Sequence, residues 1–199
     1  KPELVAECVA AMKAVTTIPI TVKSRIGIDD QDSFEFLLDF VTKVKAAGCD
    51  TFIIHARKAW LTGLSPKENR DIPPLDYDRV YKIKEMFPEL EIIINGGVKT
   101  LDESLEHLKH VDGVMMGREV YQNPYIMADV DDVIYQNDHE KISRSGVLEK
   151  MSDYITKHEV NEGRAWHVLR HMMGLYLGLP GAKTWRRYLS ENAVKTDKK

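Results

Sequence analysis

Residues 50–57 read Asp-Thr-Phe-Ile-Ile-His-Ala-Arg, a short apolar run that stops at a histidine and, two residues on, an arginine. A histidine so placed can donate a hydrogen bond or move a proton near neutral pH. An arginine offers an anion a planar fork of donors. The same arrangement recurs at 20–22 before Lys23-Ser24-Arg25, at 92–94 before Asn95-Gly96-Gly97, and at 114–116 before Gly117-Arg118. Gly96 and Gly97 let backbone N–H groups approach an anion without a Cβ in the way. Gly117-Arg118 at the mouth of a helix adds further donors, and the two turns together suit the phosphate of a mononucleotide.

Lys23 and His55 end neighbouring runs and point to one centre, where a lysine can neutralise negative charge on a reduced flavin ring or an enolate. Arg25 and Arg57 follow two residues later, on the same side if strand geometry persists. This much positive charge expects an anionic ligand. Two blander readings stand beside it: a structural, hydrogen-bonded His55 and a merely tight Gly-Gly turn.

These residues need strands to hold them. The run 51–54 shows no alternation, which predicts a strand buried on both faces of a parallel sheet. Leu4, Val5, Cys8, Val9, Met12 and Val15 predict an opening helix whose preceding strand is missing. Asp32 with Glu35 reads as a capping box for a helix over 33–47, ended by Gly48. The loop from Ala56 to Leu75, about twenty residues, is long enough to be functional. It carries Lys58, Trp60, Lys67 and Arg70. A helix over 77–86, a strand at 91–94, a helix capped by Thr100 or Asp102 and a strand over 113–116 follow. Beyond an acidic stretch at 130–140, helices are expected over 147–158, 162–177 and 184–192, with no further strand.

Strand–helix units with parallel neighbours are the default, and ligand chemistry after every strand favours a barrel over an open sheet with one switch point. The expected fold is therefore α/β: the second half of a (βα)8 TIM barrel, four parallel βα units over 1–130, then a small all-α domain over 131–199.

The chain has 199 residues, is 43% hydrophobic and carries a net charge of −3 with a pI near 6.2, so bulk charge says nothing for nucleic acid. Its distribution says more. Residues 163–199 hold eight Lys/Arg (Arg164, Arg170, Lys183, Arg186, Arg187, Lys195, Lys198, Lys199) against Glu191 and Asp197, a formal +6. A solvated tail and an RNA-gripping surface both fit this pattern. Cys8 and Cys49 lack disulfide or metal-ligand spacing and are expected to be small buried thiols. With no apolar run near the ~18 residues of a membrane span and no leader at the start, a reducing cytoplasm is the economical expectation, with no metal.

In order and spacing, Val22-Lys23-Ser24-Arg25-Ile26-Gly27, Ile54-His55-Ala56-Arg57, Asn95-Gly96-Gly97 and Met116-Gly117-Arg118 resemble the flavin-binding motifs of tRNA-dihydrouridine synthases. The loop running through Gly63-Leu64-Ser65-Pro66-Lys67-Glu68-Asn69-Arg70 and the tail Gly178-Leu179-Pro180-Gly181-Ala182-Lys183 with Trp185-Arg186-Arg187 resemble the bacterial DusA branch of that family. The resemblance implies an FMN barrel, reduced by NADPH, that passes hydride to C6 of a D-loop uridine while a cysteine protonates C5. It further implies that Lys23 and His55 contact the isoalloxazine, that Asn95, Gly96, Gly97, Gly117 and Arg118 hold the ribityl phosphate, and that Arg25, Arg57, Lys67, Arg70, Lys183 and Arg186 touch substrate or tRNA.

Neither cysteine matches the family's catalytic loop, so that acid and the first barrel strands are expected upstream. The chain alone is expected to associate through its open sheet edges and to be inactive for uridine reduction. A flavin barrel resembling dihydroorotate dehydrogenase and a non-catalytic tRNA-binding module are the alternatives.

Overall fold

The structure, a computed structural model, describes residues 1–138 and 140–196, with the side chains of 194–196 excluded. Three residues of the basic tail, Asp197, Lys198 and Lys199, lie outside the described residues. The chain divides into two compact units, Lys1–Met116 and Gly117–Lys199.

The first unit alternates helix and strand: α1 (Pro2–Lys13), β1 (Thr21–Arg25), α2 (Phe34–Ala46), β2 (Thr51–His55), α3 (Tyr77–Met86), β3 (Glu91–Asn95), α4 (Leu101–Leu108) and β4 (Gly113–Met115). The strands form one parallel sheet in the order β1-β2-β3-β4. These are the four βα units of a partial TIM barrel.

Helix boundaries follow local chemistry. The Ser33 hydroxyl accepts from Phe36 N at 3.1 Å and caps α2. The expected cap, Asp32, instead binds Lys58 at 2.7 Å. Gly48, at φ +96, turns the chain out of α2 as only glycine does easily. Thr100 and Glu103 close a reciprocal capping box on α4.

Parity along the strands decides the packing. Phe52, Ile54, Ile92 and Ile94 are fully buried and join Leu37, Val41, Val44, Val80 and Ile83 of the helices in one core. At about 25 cal/mol per Å², each such aliphatic side chain contributes roughly 1.5–3 kcal/mol. The intervening residues Thr51, Ile53, His55, Ile93 and Asn95 are only half-buried, and Lys23 and Glu91 are exposed. The sheet is thus sealed on one face, not on both as the unbroken apolar runs suggested. The other face is the one a barrel turns inward, and it carries the polar residues.

On α1 only Val9 is buried, whereas Leu4 and Met12 are 57% and 43% exposed; Val15, just beyond the helix, is 84% exposed. Cys8 is exposed, contrary to expectation, because it lies off the single packed position of α1. Cys49 is buried, with Sγ 3.3 Å from Thr51 O, and burial raises its pKa.

The second unit is helical: α5 (Arg118–Gln122), α6 (Val130–Val133), α7 (Arg144–Val160), α8 (Ala165–Leu169) and α9 (Ala182–Thr196), with a 3-10 stretch at Pro124–Asp129. It starts earlier than the 130/131 boundary read from composition. Tyr125 packs with Val168, Met172 and Leu175, donates to Ile142 O at 2.7 Å, and lies under the Arg144 guanidinium at 3.7 Å. The helix expected over 162–177 stops at Leu169. At Gly174 the backbone approaches Gln122 O so closely that a Cβ would lie 2.0 Å from it, and turns replace the helix.

Candidate functional site

The strand register places Arg25, His55, Asn95 and Met115 in one row at the carboxyl end of the sheet. Lys23 lies two residues earlier on β1, on the same face. It reaches past β2 to Asn95, with Nζ 2.8 Å from Oδ1, and the Asn95 amide donates to Met115 O at 2.7 Å. One asparagine thereby links three strands. Burial, and secondarily the Arg25 charge, lower the Lys23 pKa. An anion beside it would reverse that effect.

Gly96 and Gly97 leave β3 at φ +114 and +77. A Cβ on Gly96 would sit 3.2 Å from the His55 ring, so this turn lies directly against the imidazole. The Tyr77 hydroxyl donates to Gly96 O at 2.8 Å, and burial keeps that phenol protonated by raising its pKa. Tyr77 in turn meets the buried His107 edge-on at 4.4 Å between ring centroids, and Tyr81 Oη lies 2.7 Å from His107 Nδ1. The turn is therefore braced from behind by α3 and α4.

Arg25 and Arg57 do something the sequence did not announce. Arg25 Nη1 donates to Lys58 O at 2.9 Å and to Asn69 O at 2.8 Å. Arg57 Nη1 donates to Asp71 O at 3.2 Å and to Pro73 O. Both guanidinium groups pin the backbone of the long loop. Burial, then the charges of Arg57 and Arg70, lower the Arg25 pKa. Asn69 was missed by sequence reasoning: its amide group accepts from Trp60 N at 2.8 Å and donates to Trp60 O at 2.5 Å. Lys58 is tied to Asp32 and to Asp29 O. The loop is a built structure with a 3-10 turn at Glu68–Arg70, and that turn presents Lys67 and Arg70 to solvent three residues apart, on one side.

The remaining expected residues lie in the second unit. Gly117 and the exposed Arg118 open α5, which is five residues long. Lys183 and Arg186 are exposed on α9 at a spacing of three, while Trp185 turns inward and donates to Met172 O at 3.1 Å. Among the described residues, no group of three or more His, Cys, Asp or Glu could hold a metal ion, and no helix is long and apolar enough to cross a membrane.

A family model for dihydrouridine synthases matches the chain over residues 1–199. The chain belongs to the dihydrouridine synthase family. That membership replaces the alternative of a barrel resembling dihydroorotate dehydrogenase. Similar curated proteins carry the name tRNA-dihydrouridine(20/20a) synthase. One from Shewanella oneidensis is 62% identical over 98% of this chain, and one from Vibrio cholerae is 58% identical over 98%. A third, from Shigella flexneri, is 58% identical over 97%. The chain spans 58%, 60% and 57% of their respective lengths.

Proposed function

We propose that the chain is the later portion of an FMN-dependent tRNA-dihydrouridine synthase, which reduces D-loop uridine with NADPH. The observation that carries this reading is the meeting of Lys23, His55, Asn95 and the Gly96-Gly97 turn at one end of a parallel sheet. These residues fit FMN. The absence of a Cβ at Gly96 lets the turn lie against the His55 ring with its backbone bare, and Lys23 nearby on Asn95 lacks an acidic partner among the described residues.

FMN, when bound, would supply the two-electron chemistry for reducing uracil at the expense of NADPH. Lys23 neutralises negative charge at the ring, and Asn95 holds its ammonium in place. His55 donates a hydrogen bond from the adjoining strand end. Gly96 and Gly97 accept the phosphate, and Gly117 and Arg118 are proposed to add donors to it. The proton for C5 requires a general acid. Cys49 is buried in the core and Cys8 lies on the outside of α1, so that acid is assigned to a part of the enzyme outside this chain.

Lys67, Arg70, Lys183 and Arg186 grip tRNA phosphates, each contact contributing about 0.9 to the slope of log affinity against log salt. Arg25 and Arg57 serve that grip by shaping the loop that carries Lys67 and Arg70. The fold does not close without further strands, so the chain alone is proposed to be inactive.

Reconstitution tests this. The chain is combined with the portion of the Shewanella relative that it does not cover, then supplied with FMN, NADPH and tRNA lacking dihydrouridine. Dihydrouridine detected by mass spectrometry in the mixture, and in neither part alone, is the expected result. Full activity from the chain alone, or none from the mixture with FMN bound, refutes the reading.

A further inference from the structure

The second unit contains a cavity of about 670 Å³ between α7 and the stretch running from α8 to Leu175. Its floor is apolar, built from residues such as Met151, Val168 and Met172. Its wall is not. Lys150, Tyr154, His167 and His171 line it, and among the described residues none of its lining side chains is a carboxylate. Tyr154 is 56% exposed and stacks on His158 at 6.3 Å with an interplanar angle of 6°; His158 meets His167 edge-on at 5.9 Å. Of these rings, Tyr154 and His167 line the cavity, and His158 lies between them outside its lining. On the other side Arg170 Nε donates to His171 Nε2 at 3.2 Å, and His171 Nδ1 lies 3.0 Å from the Tyr121 hydroxyl. His171, which lines the cavity, thereby bridges Arg170 and Tyr121. Neither Lys150 nor Arg170 has an acidic partner among the described residues.

An apolar floor, flat rings and a cationic rim answer to different parts of one kind of ligand. A phosphate alone needs no apolar floor, and an aliphatic ligand needs no cations. A nucleotide uses both, its base stacking on the rings and its phosphates meeting the rim. The volume lies inside the roughly 300–1,000 Å³ of small-ligand sites. We propose that this cavity receives an unstacked nucleobase of a bound RNA, with the Tyr154 ring as the stacking face and Lys150 as a phosphate contact. The site shares no residue with the sheet end described above, and it rests on the RNA reading given under Proposed function.

The test uses the 199-residue chain and a short oligouridylate carrying photoreactive thiouridine. Cross-links are expected on peptides covering 147–154 and 167–172. Tyr154→Ala should bind the oligonucleotide about tenfold more weakly, the scale of one stacked base. Tyr154→Phe should bind as the parent does, and the exposed Lys150→Ala should lower the salt slope by about one unit. Cross-links confined to the 67–70 turn and α9, with Tyr154→Ala binding unchanged, overturn the cavity proposal and leave the RNA reading intact. No binding of oligonucleotide or tRNA by any form defeats the RNA reading itself, and the cavity proposal with it. Capture of an acidic amphipathic peptide in the cavity, with RNA affinity untouched by Tyr154→Ala, assigns the groove to a protein partner and overturns the proposal.

Discussion

Gly97→Ala probes the brace behind the proposed phosphate turn. Gly97 sits at φ +77, and an added Cβ would lie 2.6 Å from Leu75 Cδ1 and 2.9 Å from the Tyr77 hydroxyl. The left-handed backbone costs an L-residue about 1–2 kcal/mol. Forcing Leu75 and Tyr77 aside adds overpacking of roughly 1–3 kcal/mol. Lower unfolded-chain entropy returns about 0.4–1 kcal/mol. The net destabilisation is about 1–4.6 kcal/mol, which at about 4 °C per kcal/mol for a unit of this size lowers Tm by about 4–18 °C. Gly117→Ala is the control, because nothing lies within 4 Å of its Cβ position. It should stay within about 0.5 kcal/mol of the parent. Thermal melts followed by circular dichroism read both. A shift under about 2 °C for Gly97→Ala would mean that the turn is not held as described, since strain alone predicts about twice that. Equal losses for both glycines would refute the steric argument in another way.

Three further outcomes are expected. Burial lowers the His107 pKa from its ordinary 6.5, so its contribution to stability is complete above that value and is lost as pH falls; His107→Gln should flatten the acid limb of the stability curve between about pH 7 and 5, measured by urea melts. Arg118→Ala should weaken flavin retention in the reconstituted enzyme by about 1.5–3 kcal/mol, the value of one charge-assisted contact, and unchanged retention in equilibrium dialysis counts against that role. Lys183→Ala combined with Arg186→Ala should weaken tRNA binding and reduce its salt slope by about two units, read from filter binding across salt concentrations; an unaltered slope removes α9 from the interface.

The sequence made the strands legible because aliphatic runs ending in polar tips have few other uses in a compact chain. It made Lys23, His55 and Asn95 legible as neighbours because parallel register aligns strand ends. It could not show that the apolar runs are sealed on one face only. Phe52-Ile53-Ile54 looks the same whether Ile53 meets a helix or a barrel interior. The roles of Arg25 and Arg57 were hidden for a related reason. A guanidinium that binds backbone carbonyls leaves no mark on its partners, since every residue has a carbonyl. Asn69 gave a faint signal, an amide inside a Gly- and Pro-punctuated loop, which is the composition of a side chain that organises turns. The turns after Leu169 were not legible, and they bring Gly174 against Gln122, far away in sequence, a contact that no local pattern reports.

The one-sided core also explains why charge can gather at the sheet end. Even-numbered positions of β2 and β3 lock the register against α2 and α3, and a slip of one residue would expose Phe52, Ile54, Ile92 and Ile94 together. That penalty frees the odd-numbered face to carry groups that weaken stability on their own account. Lys23 is such a group. Partial burial and the Arg25 charge disfavour its ammonium, so its folded pKa lies below its unfolded one. Cationic Lys23 is destabilising relative to the unfolded chain, and an anion bound beside it removes that penalty. Linkage then requires that anion binding at alkaline pH draw a proton onto Lys23, so that ligand affinity falls as pH rises through the lysine's value in the free protein. A hydrophobic residue at position 23 would make a more stable sheet with nothing to hold an anion, and the cost of the lysine is sustained by the apolar face behind it.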